Sequence, residues 1–157
     1  MRNQLLFGNI IRSFAIHAFV CFAAIVLMIF GGLPFGFLFA ATGALAGYIF
    51  LSKRFLEPIP GASLLSVAPL AAVLFILFGL HELLIFSEGG LFYILNYPSI
   101  AVLQLPIFAY SFISGSYVDD HHLLVIMGAT LVPSVLMYTG LRLRVRKDIK
   151  QSTSIND

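Results

Sequence analysis

The chain has 157 residues, 60% of them hydrophobic and only 10% charged, with a formal net charge of +2. A water-soluble domain of this length has too little interior to hide so much apolar surface, which excludes a single soluble domain and leaves lipid as the solvent. The balance of charge gives no reason to expect a nucleic-acid partner, and the single cysteine, Cys21, excludes an intramolecular disulfide and any cysteine-pair metal or redox motif.

The first apolar run, Ser13–Phe30, follows a short start carrying Arg2 and Arg12. It is longer than the apolar core of a secretory signal and has no small-residue cleavage site at the right distance, so it reads as an uncleaved membrane helix. Gly31, Gly32 and Pro34 predict a tight turn, after which Phe35–Leu51 forms a second helix ending at Ser52, Lys53 and Arg54. Within that helix Gly36, Ala40 and Ala44 recur every four residues beside the pair Gly43 and Gly47. Small residues at this spacing let another backbone approach closely, either within the chain or across a dimer seam.

Glu57, Pro58, Pro60 and Gly61 predict a polar loop, followed by a third helix at about 64–86 with Pro69 near its start. The fourth helix is expected at about 123–141, with a kink at Pro133 because proline lacks a backbone donor. Between them, the uncharged segment 91–113 has 23 residues, enough to span roughly 34 Å as a helix. Charge opposes a fifth crossing. With four crossings all nine Lys and Arg fall on one side, whereas a fifth would move the five tail cations across and leave four opposite them. Cytoplasmic flanks collect Lys and Arg, so the four-crossing arrangement is favoured. Pro98 and Pro106 also interrupt the segment, which predicts a re-entrant or interfacial, proline-broken stretch packed on the outer side of the helices.

The expected architecture is thus an all-α membrane protein: a four-helix transmembrane bundle in residues 1–150, helices at about 13–30, 35–51, 64–86 and 123–141, and a polar tail at 151–157. A plasma membrane, bacterial by the compact loops and lack of organelle signals, with both termini cytoplasmic, is the expected location. The basic flank consists of Lys53, Arg54, Arg142, Arg144, Arg146 and Lys147, a topology anchor or a docking site for an acidic partner.

The outer side collects His81, Glu82, Glu88, Asp119, Asp120, His121 and His122 without a single Lys or Arg. Imidazole and carboxylate ligands suit zinc or manganese, but His121 and His122 diverge by about 100° on a helix, and the position that would complete an H-E-x-x-H motif after His81 is Ile85. Solvation of this face, with Asp119 and Asp120 capping the fourth helix, accounts for the cluster without a metal. His17 lies inside the first helix near its cytoplasmic boundary, where one hydrogen bond would keep it neutral. No nucleophilic triad, phosphate-binding glycine loop or paired buried carboxylate is found, and no cofactor is expected.

Two functions follow. The first is a non-enzymatic accessory or regulatory role through protein–protein contacts, with membrane lipids and another membrane protein or a second copy as partners. The second is a small homo-oligomeric transporter or channel using segment 91–113. Against the second, the apolar runs show no polar stripe.

Overall fold

A computed structural model describes residues 2–32, 35–60, 63–84, 99, 102 and 128–153, with the backbone alone for 80–84 and 146–153. Among the described residues the fold is all-helical. α1 spans Arg2–Gly31, α2 Phe35–Phe55, α3 Ala68–Leu84 and α4 Val132–Thr153, with a short 3-10 turn at Leu64–Ser66 before α3.

α1 and α2 form an antiparallel hairpin, the most extensive contact among the described elements. Gly32 closes α1 in the left-handed region at φ 63°, where a Cβ would be strained. Immediately beyond the turn, a Cβ on Gly36 would lie 2.5 Å from the Met28 carbonyl oxygen, so only glycine permits the two backbones to meet there. At 30 residues α1 is about 45 Å long, well beyond the roughly 30 Å of a hydrocarbon core. Its expected start at Ser13 is therefore corrected to Arg2. Nothing in the first residues breaks a helix, and Asn9 and Arg12 are held by tertiary contacts.

α1 and α2 are long and apolar enough to cross a membrane. Only 28% and 33% of their most apolar stretches are buried, so most of this apolar surface faces outward, including Phe22, Phe30 and Phe50.

The other two helices differ in their bounds from those expected. α3 is a 17-residue helix with Pro69 as its second residue, where the missing N–H costs no intrahelical bond. The expected fourth helix does not run unbroken through 123–141. Gly128 and Ala129 are helical, Thr130 and Leu131 form a turn, and α4 begins at Val132. Pro133 is the second residue of α4, and the Leu131 carbonyl accepts from the Val135 N–H at 3.0 Å. The proline starts a helix instead of kinking one. α4 then continues past Leu141 to Thr153, carrying the basic run on a helix.

α4 packs parallel to α2, and Gly140 sets their separation: a Cβ there would collide with the Ser52 hydroxyl and the Ile49 carbonyl. Tyr48, Leu56, Val67, Leu70, Met137 and Leu141 lie at the centre of the core, fully buried and drawn from α2, the connecting loop, α3 and α4. The C-terminal part of α2, the start of α3 and the first turns of α1 meet at one end of the bundle, and α4 runs toward the same end. Arg12, Lys53, Arg54, Arg142 and Arg144 share that end.

Candidate functional site

The first polar constellation is a ladder on the inner face of α1. Asn9, Ser13, His17 and Cys21 recur every four residues and are all buried. Residues four apart stack on one helix face, so this spacing lines one side of α1 with polar atoms. α2 answers with buried Tyr48 and Ser52. The expectation that the helices lack a polar stripe is thereby corrected. Single polar residues separated by three apolar ones do not register as a polar segment, yet they converge once the helix is wound.

At the middle of the ladder the Tyr48 hydroxyl and His17 Nδ1 share a 2.8 Å hydrogen bond, with the two rings stacked at a 6.0 Å centroid separation. Cys21 Sγ stands 3.6 Å from His17 Nε2, within hydrogen-bond range for sulfur. Ser99 is also fully buried. Ser13 and Ser52 turn their hydroxyls back onto the carbonyls of Ile10 and Ile49 at 2.7 and 3.1 Å.

The second constellation clamps the 56–67 connection to the basic end of the bundle. Fully buried Asn9 donates from Nδ2 to the Glu57 carbonyl at 2.7 Å and to Ser66 Oγ at 3.2 Å, and its Oδ1 accepts from the Glu57 N–H at 3.0 Å. One side chain thus satisfies both backbone polar groups of a half-buried loop residue, groups that would otherwise lack a partner within the protein. Arg12 Nη1 donates to Glu57 Oε1 at 2.9 Å and to the Phe55 carbonyl at 3.3 Å. From the other side Arg144 donates to the Leu56 carbonyl at 2.6 Å, and Ser134 donates to the Val67 carbonyl at 2.8 Å. Two helices, α1 and α4, therefore hold one loop. Arg142 lies over the Tyr138 ring, 5.9 Å from its centroid, one turn along α4.

Gly36, Ala40 and Ala44 are buried, and Gly36, Gly43 and Gly47 stand opposite Met28, Leu27 and Val20 of α1. The small-residue face therefore receives α1. Lys53 and Arg54 are exposed in the last turn of α2, and Arg146 and Lys147 lie on the α4 backbone. Of the outer polar cluster, His81 and Glu82 lie on the α3 backbone with their side chains outside the described residues; Glu88, Asp119, Asp120, His121 and His122 are outside them altogether. Among the described residues no group of three or more His, Cys, Asp or Glu could hold a metal ion. Segment 91–113 is described only at Ser99 and Val102, and Val102 packs against the core.

Sequence reasoning missed Asn9, Tyr48, Ser134 and Gly140. The four-residue spacing from Asn9 to Cys21 was the one available signal. The others depend on which loop carbonyl or helix backbone arrives opposite them.

The class this fold defines is an α-helical protein, all-helical among the described residues, with two helices long and apolar enough to cross a membrane. No protein-family model matches the chain, and no curated protein or solved structure matches it significantly.

Proposed function

We propose that this chain is a multi-pass membrane protein with a non-enzymatic, accessory or regulatory role exercised through protein–protein contact at its basic end. The observation that carries this reading is the continuity of α4. One 22-residue helix holds buried Met137 and Leu141 in the bundle core and extends without interruption through the basic run to Thr153. A partner bound to Arg146, Lys147 and Lys150 would thus engage a helix anchored in the core and, through Arg144, in the clamped loop. An acidic surface is the complement of this segment.

Membrane insertion is supported by the outward apolar faces of α1 and α2 and by the exposed hydroxyls. Thr42 and Thr139 donate to carbonyls of their own helices at 2.8 and 2.9 Å, the arrangement a hydroxyl needs where no water is at hand. The preferred topology has both termini in the cytoplasm of a bacterial cell, with four crossings, since that puts the shared basic end inside.

Mild-detergent pull-down of the full chain tests the role. A stable complex with a different protein is expected, weakened at least about tenfold by the triple change Arg146→Glu, Lys147→Glu, Lys150→Glu, given the kilocalories involved when close charge pairs are broken. A complex indifferent to those charges would remove this reading.

The polar ladder of α1 favours a second one, a homo-oligomeric transporter or channel. Solute flux in proteoliposomes that falls on His17→Ala, with a homo-oligomer and no foreign partner, would replace the first reading by the second.

A further inference from the structure

Between the outer faces of α1 and α2, at the basic end, lies a groove of about 440 Å³ walled by Ala15, Ile16, Phe19, Leu51 and Phe55, with Arg12 at its rim. Its volume falls within the usual range of small-molecule sites. Its chemistry is divided lengthwise. From Ala15 to Phe19 the wall is hydrocarbon and aromatic, and the charge is confined to one end.

The guanidinium at that end is held in place. Arg12 Nη1 is anchored by Glu57 and the Phe55 carbonyl, while among the described residues Nε and Nη2 have no partner. Arg12 is about half exposed, so these donors are open to a ligand. Arg54 lies three residues after Leu51 and next to Phe55, on the turn of α2 that forms the opposite wall, and Lys53 is exposed beside it. The one described carboxylate nearby, Glu57, is already engaged by Arg12. Net charge at the rim is positive.

We propose that this groove binds one anionic phospholipid, an acyl chain lying along Ala15 and Phe19 and the headgroup phosphate meeting the open edge of Arg12. The inference rests on the membrane reading above and adds to it a defined lipid class at a defined place. A guanidinium edge matches phosphate oxygens in plane, and the held orientation reduces the entropy lost on binding. Lys53 and Arg54 supply the long-range attraction that distinguishes an anionic headgroup from a zwitterionic one. Each cation near the surface contributes about fivefold in affinity.

The test is native mass spectrometry of the full chain in mild detergent, offered phosphatidylglycerol or phosphatidylcholine of identical acyl composition. The wild type is expected to retain phosphatidylglycerol at least about fivefold better. Arg12→Gln should weaken retention of phosphatidylglycerol, and the double change Lys53→Gln, Arg54→Gln should abolish its preference over phosphatidylcholine. Ala15→Phe, which fills the groove and leaves Arg12 and its partners alone, should reduce retention of the lipid. It keeps the test decisive if Arg12→Gln fails to fold. Equal retention of the two lipids by the wild type, or full retention by Ala15→Phe, overturns the proposal. So does a dimer that Ala15→Phe dissociates without changing lipid retention, since the groove would then hold a second copy. Alkaline carbonate extraction of membranes separates the two levels. A chain that stays in the membrane pellet yet shows no headgroup preference refutes the lipid site alone, whereas a chain released into the supernatant refutes the membrane reading beneath it.

Discussion

Asn9 is the residue on which the loop clamp turns. Its amide makes three contacts, two of them to the backbone of Glu57, and it is completely buried. Replacing it by Ala removes a donor and an acceptor at once and leaves the part-buried Glu57 N–H and carbonyl without their protein partner. Each such orphan group costs about 1–3 kcal/mol. Asn9→Ala should therefore lower the unfolding midpoint in detergent and expose the 56–60 loop to protease, whereas Arg12→Ala, which breaks a half-exposed ion pair, should cost about 1 kcal/mol or less. Equal midpoints for Asn9→Ala and wild type would show that the loop is held by packing alone. Asn9 illustrates what the sequence conceals. An asparagine at the eighth position of a helix looks like an unfavourable helix residue until a loop residue 48 positions away arrives with the complementary backbone groups.

At the scale of the element, glycines separate helix propensity from helix packing. Gly8 in α1 and Gly79 in α3 have open space where a Cβ would stand. Alanine there should stabilise by about 0.5–1 kcal/mol, because the unfolded chain loses freedom and the helix gains a better former. Gly36 and Gly140 are the opposite case: a Cβ on Gly36 runs into the Met28 backbone, and one on Gly140 into Ser52 and Ile49. Gly36→Ala and Gly140→Ala should both destabilise, since backbone cannot step aside as a side chain can, by about 1–3 kcal/mol as for other overpacked sites. Thermal midpoints of the four single variants give the comparison; a loss at Gly8 or a gain at Gly140 would contradict the packing described. The small-residue pattern on α2 was legible from spacing alone, but Gly140 was not, because a single glycine ahead of a basic run carries no register until α2 is placed against it. The same holds for Pro133. Its effect on the backbone was predictable, but whether it kinks a helix or begins one depends on the turn at Thr130 and Leu131.

At the scale of the whole molecule, the shared basic end gives the topology its test. With Cys21→Ser as background, single cysteines Glu88→Cys and Asp157→Cys can be probed on intact cells with a membrane-impermeant maleimide. The four-crossing arrangement requires Glu88→Cys to react from outside and Asp157→Cys only after lysis. Labelling of both Glu88→Cys and Asp157→Cys on intact cells would establish an odd number of crossings and bring segment 91–113 across the bilayer. The sequence by itself determined the helical class and the place of two helices long and apolar enough to cross a membrane, because 60% hydrophobic residues fall in long uncharged runs. It also placed the α1–α2 turn, whose Gly31-Gly32 pair acts through local backbone sterics. Only the tertiary structure decided that the basic run is a continuation of α4, that Asn9, Arg12 and Arg144 converge on one loop, and that four isolated polar residues of α1 form a single ladder. Those outcomes depend on contacts between groups far apart in the chain, and such contacts have no signature in composition or hydropathy.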